Sequence, residues 1–125
     1  MDIQDPLGTV LRFNHFINTQ DLPGLNEMMT EDHAFIDSVG EIERGRKAIL
    51  QAWKTFFTLY PSYRNVFQQV SVEGDRVTML GRSHCQEEPI LDGPAIWTAQ
   101  IRDNLITEWR VYDDTPENRR SLGLC

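Results

Sequence analysis

The sequence predicts an α+β domain in which about three helices pack on one face of a curved antiparallel sheet. Three observations carry that prediction. Apolar residues recur at three- and four-residue steps in three early segments, the pattern changes to alternation with period two after Pro61, and one alternating run lies between the second and third helices. At 125 residues and 40% hydrophobic content, residues 1–125 suffice for one core and are too few for two ordinary domains.

Asp5-Pro6 starts the first helix, because an Asp side chain accepts from free N–H groups and proline at the first helical position has none to lose. Leu7, Val10, Leu11, Phe13, Phe16 and Ile17 then make one apolar face. Asp21 caps a short second helix whose buried side carries Leu22, Leu25 and Met28 or Met29. His33, Phe35 and Asp37 alternate with Ala34, Ile36 and Ser38 in a first strand that ends at Val39-Gly40. From Arg46 the third helix aligns Ile49, Ala52, Trp53, Phe56, Phe57 and Tyr60 on one stripe, and Pro61 stops it.

Four strands are expected over 63–72, 76–86, 95–102 and 105–113. Glu73-Gly74-Asp75 and Asp103-Asn104 supply tight turns, and the stretch 87–94, with two prolines and a glycine, forms a longer loop. The polar tail from Thr115 is expected to be poorly ordered.

Composition narrows the function classes. With 19 acidic residues against 12 Lys and Arg, the net charge of −7 repels phosphate backbones, so no nucleic-acid partner is expected. MDIQDPLG has neither the basic start nor the apolar stretch of a secretory signal, and no run is apolar for long enough to span a bilayer. A cytoplasmic protein with no membrane partner is the expectation. Cys85 and Cys125 give neither a disulfide framework nor zinc spacing, His15, His33 and His84 are scattered, and no glycine-rich phosphate loop occurs. No metal and no cofactor are therefore expected.

Phe35-Ile36-Asp37-Ser38-Val39-Gly40, followed by Arg44-Gly45 and Lys47-Ala48-Ile49, resembles the ketosteroid isomerase and SnoaL-like polyketide-cyclase branch of the nuclear transport factor 2-like (NTF2-like) superfamily. Residues 106–113, ITEWRVYD, resemble the last strand of that group. The resemblance implies a cone-shaped fold, a mostly apolar pocket opening into the cone, a small apolar ligand, and a homodimer through the outer sheet face. It also places Asp37 where the isomerases keep the carboxylate that moves a proton, while Phe13, Trp53 and Trp97 stand where they keep acidic donors. Phe has no donor and indole is a poor acid, so the strong oxyanion hole of a steroid isomerase is missing.

Each candidate has a functional and a structural alternative. Asp37 is either a general base desolvated by aromatics or a turn residue bonded to backbone N–H groups before Gly40. His33 either helps Asp37 move a proton or sits partly solvated at a strand entrance, and His84 either reaches the pocket mouth or lies on a solvated face with Thr78 and Arg82. Glu108, Arg110 and Tyr112 share one strand face. If it looks into the cone, Tyr112 can assist Asp37, or Asp37, Arg110 and Glu108 form an acid–Arg–acid set like that of limonene epoxide hydrolases. If not, they are an exposed strand, since Trp109 and Val111 opposite are the more apolar set. Phe13, Phe35, Trp53, Phe57, Tyr60 and Trp97 line the pocket or simply fill a core. These alternatives lead to two functions: a cofactor-free acid–base enzyme acting on a small apolar substrate, with an epoxide-opening version, or a non-catalytic binding or dimerisation module.

Overall fold

In the computed structural model, residues 4–124 are described, so Cys125 lies outside them. Helix α1 (Pro6–Asn18) begins as its cap predicts, the Asp5 side chain accepting from the Gly8 N–H. Its buried residues include Val10, Phe13 and Ile17, three of the predicted stripe. Helix α2 (Leu22–Met28) is capped by Asp21 in the same manner and leads directly into β1 (Met29–Ile36). The hairpin partner β2 (Ile42–Arg44) has no counterpart in the sequence prediction, being three residues long with two of them charged. Gly45, at φ +99°, turns the chain into α3 (Arg46–Leu59), which buries Ile49, Trp53 and Phe57.

The remaining strands are β3 (Arg64–Glu73), β4 (Arg76–His84), β5 (Gly93–Arg102) and β6 (Leu105–Asp113). A single turn of 3-10 helix (Pro89–Leu91) interrupts the loop before β5. The six strands run in the order β2-β1-β6-β5-β4-β3. Every neighbouring pair is antiparallel except β1 and β6, which are parallel. No tight turn joins those two, so nothing forces them antiparallel as a hairpin would. Register shifts between Phe67 and Gln69, Gln100 and Ile101, and Met29 and Ala34 bend the sheet toward the helices.

The tail differs from the expectation of disorder. Residues Pro116–Ser121 form α4, with the Thr115 hydroxyl accepting from the Asn118 N–H and Arg119 paired to Asp114 at 2.6 Å. A Thr-Pro-Glu start is a helix signal in its own right.

Register fixes the two faces of the sheet, because directly paired residues share a face. Glu43, Phe35, Trp109, Ala99 and Val77 form one row across it, on the face that carries the core. Ile42, Ile36, Arg110, Thr98 and Thr78 form the adjacent row on the other face. The core joins α1 and α3 to the inner face through Phe13, Ile17, Ile49, Trp53, Trp97 and Trp109. One clamp holds α1 to the sheet edge: the Asn18 side chain accepts from the Asn65 N–H and donates to the Asn65 carbonyl, both at 2.8 Å, as a neighbouring strand would.

Candidate functional site

A pocket of about 300 Å3 lies between α3, the β1–β2 hairpin and the later strands of the inner face. Helix α3 contributes Ile49, Ala52, Trp53 and Phe56, and β6 contributes Trp109 and Val111. Phe35 projects from β1, Tyr63 precedes β3, and Leu91 arrives from the 3-10 turn. The hairpin supplies the polar rim, Asp37, Ser38 and Glu43.

The aromatic wall is ordered by ring packing. Trp53 meets Phe35 edge-on at 6.0 Å between centroids and Phe56 at 5.7 Å, and Phe56 meets Tyr63 edge-on at 4.8 Å. The Tyr63 hydroxyl lies 3.3 Å from Ser83 Oγ, which itself donates to Asn65 Oδ1 at 2.8 Å. Because the single serine proton goes to Asn65, Tyr63 is the donor to Ser83, and its oxygen lone pairs remain able to accept. Burial pushes the Tyr63 phenol above its ordinary value, with the bonds to Ser83 and Asn65 pulling the other way, so it is neutral near pH 7.

Asp37 is bonded into the turn that its structural alternative describes, and it also reaches the pocket rim. Its Oδ1 accepts from the Val39 and Glu41 N–H groups, each at 3.0 Å, in the turn before Gly40, and the same residue lines the pocket rim. Glu43 is brought beside it by the pairing of Phe35 with Glu43, a consequence of the hairpin that strand alternation alone does not reveal.

The other candidates lie elsewhere. Register decides the β6 question: Trp109 and Val111 line the pocket, whereas Glu108, Arg110 and Tyr112 are on the outer face. There the Arg110 guanidinium stacks 4.7 Å over the Tyr112 ring. The structure therefore does not assemble Asp37, Arg110 and Glu108 into one acid–Arg–acid set. His33 is fully buried, not partly solvated, with Nδ1 at 2.7 Å from the Ile106 carbonyl and Nε2 without a hydrogen-bond partner. Its ring neighbours Phe13, and burial lowers its pKa against the opposing effects of the Ile106 carbonyl and Asp32. His84 ends β4 on the outer face, half-buried.

Of the expected aromatic lining, Phe35 and Trp53 are in the pocket wall, while Phe13 and Trp97 are core residues with no exposure. Phe57 stacks behind Trp53 at 5.3 Å, and Tyr60 packs on Phe56 at the end of α3. A helical stripe wider than the pocket puts part of its aromatic set into the core. Sequence reasoning missed Phe56, Tyr63 and Leu91 in the wall and Ser38 and Glu43 on the rim, and only the apolar alternation of β6 pointed to Trp109 and Val111.

Among the described residues no three His, Cys, Asp or Glu side chains are grouped to hold a metal ion, and no helix is long and apolar enough to cross a membrane.

A curved mixed sheet around a long helix, with a pocket at its open side, defines the NTF2-like class. Solved structures agree on that fold. An NTF2-like protein of unknown function from Cytophaga hutchinsonii superimposes with a TM-score of 0.74 at 19% identity, covering 98% of this chain and 97% of that one. A protein from Jannaschia sp. assigned as a SnoaL-like polyketide cyclase gives 0.74 at 21% identity, covering 91% of each chain. An LEH-like epoxide hydrolase from M. tuberculosis gives 0.79 at 14% identity, covering 87% of this chain and 82% of its own. The model of the SnoaL-like domain matches residues 10–112, and the chain belongs to that family. No curated protein sequence matches at a significant level.

Proposed function

We propose that this chain binds a small, largely apolar molecule in the pocket and moves a proton on it by cofactor-free general acid–base chemistry, with Asp37 as the base. The observation that carries the proposal is the Asp37 carboxylate at the rim of a pocket whose wall is aromatic and aliphatic. Two backbone N–H groups fix Oδ1, which leaves Oδ2 to take a proton without loosening the turn. Tyr63 is the second polar group of the wall, and its lone pairs suit a hydroxyl or N–H on the ligand. Structural neighbours assigned as polyketide cyclases and as an LEH-like epoxide hydrolase make cyclisation and epoxide opening the reactions to try first.

The test is Asp37→Asn. Asparagine keeps an Oδ1 for Val39 and Glu41, so the turn survives while the base is removed. Turnover of an identified substrate falls by about 100-fold or more if Asp37 is the base; unchanged turnover sinks the proposal.

Asp37's commitment to its turn favours a second possibility, a pocket that binds without reacting. Mass spectrometry of a bound ligand after incubation separates the two, since any product excludes simple binding. A homodimer through the outer sheet face belongs to the same proposal, α1 and α3 being packed on the inner face.

A further inference from the structure

We infer that the ligand of this pocket is a cation, a protonated amine carried on an apolar body. The inference rests on the pocket reading above and adds the ligand's charge. Three observations support it.

The first is the sign of the rim. Asp37 and Glu43 are the charged residues that line the pocket, and among the described lining residues there is no Lys, Arg or His. The second is the absence of local compensation. Neither carboxylate forms an ion pair among the described residues. Arg44, although adjacent to Glu43, pairs with Ala34 and so lies on the opposite sheet face. Arg46 is directed to Glu31 and the Met29 carbonyl, and together with Lys47 it lines a separate depression. The third is the wall behind the rim. Trp53, Phe35, Phe56 and Trp109 line the cavity, and the π face of an aromatic ring attracts a cation.

Two uncompensated carboxylates at the mouth of an apolar cavity repel a carboxylate or phosphate ligand and leave a neutral one indifferent. An ammonium group gains from both acids while its hydrocarbon part displaces water from the aromatic wall. At about 300 Å3 the cavity is at the small end of ligand sites, which suits an aryl-alkyl amine and not a steroid-sized molecule.

The experiment compares three probes of one shape, naphthylethylamine, naphthylethanol and naphthylacetate, by calorimetric titration of the full chain at low salt. The expected order is amine, alcohol, carboxylate, with the amine at least about ten-fold tighter than the alcohol and the gap narrowing as salt screens it. Glu43→Gln is expected to bring the amine-to-alcohol ratio toward one. Glu117→Gln, which removes the same charge from exposed α4, is expected to keep the ratio and so separates the rim from the general effect of a −7 chain. Equal binding of amine and alcohol, or a ratio that survives Glu43→Gln combined with Asp37→Asn, overturns the inference and leaves the apolar pocket standing. Failure of all three probes to bind overturns the pocket reading and this inference with it.

Discussion

His33 shows how a single residue changes meaning between sequence and structure. An isolated histidine after Glu31-Asp32 has the sequence context of a solvated strand entrance, yet the chain seals it in the core with one nitrogen on the Ile106 carbonyl. Burial disfavours its charged form, so its folded pKa lies below the unfolded value of about 6.5. The unfolded chain then binds more protons in that interval. The stabilisation from keeping His33 neutral is present above about pH 6.5 and is lost as pH falls through the lowered folded value. Denaturant midpoints measured between about pH 7.5 and 5 should fall for the wild type, and His33→Gln, which can still donate to Ile106 but does not titrate, should fall less. Equal slopes would show that another group governs this window. Asp37 was legible in the sequence as a residue of interest because it closes an alternating run next to Val39-Gly40. Its simultaneous turn and rim positions were not, because both depend on the hairpin with β2.

Elements were more legible than residues. The caps at Asp5 and Asp21, the α3 stripe and the two tight turns follow from local chemistry, and the structure places them as that chemistry requires. Two elements escaped for opposite reasons: β2 is too short to show a period, and α4 is too polar to show a face. Where elements meet, predictions become sharper. At the β3 bulge, Gly81 faces the Val66 carbonyl and the Phe67 Cα, both backbone atoms that cannot move aside. Gly81→Ala should therefore destabilise by about 3 kcal/mol, read from urea unfolding; a loss under about 0.5 kcal/mol would mean the bulge yields. Trp53, 8% exposed and in contact with Phe35, Phe56 and Phe57, joins the core to the pocket wall. Trp53→Ala should cost about 3–5 kcal/mol of stability and also abolish probe binding, whereas a purely structural role would spare binding in the fraction that remains folded.

At the scale of the whole molecule, one helical face and one sheet face enclose a core that thins into a pocket, and the proposed dimer uses the other sheet face. Sedimentation equilibrium should return twice the 14.5 kDa chain mass, and a monomer mass at high concentration would reject the dimer. The class of fold, the order of most elements and the apolar stripes are readable along the chain, since periodicity and capping act over a few residues and need no distant partner. Long-range packing settles which face of β6 looks inward, that Glu43 joins Asp37 at the rim, that Tyr63 belongs to the wall, and that His33, Phe13 and Trp97 are core. Each of these is a matter of register or of one element covering another. A two-residue period identifies the faces of a strand without saying which is covered, and that choice is made by contacts between residues far apart in the chain.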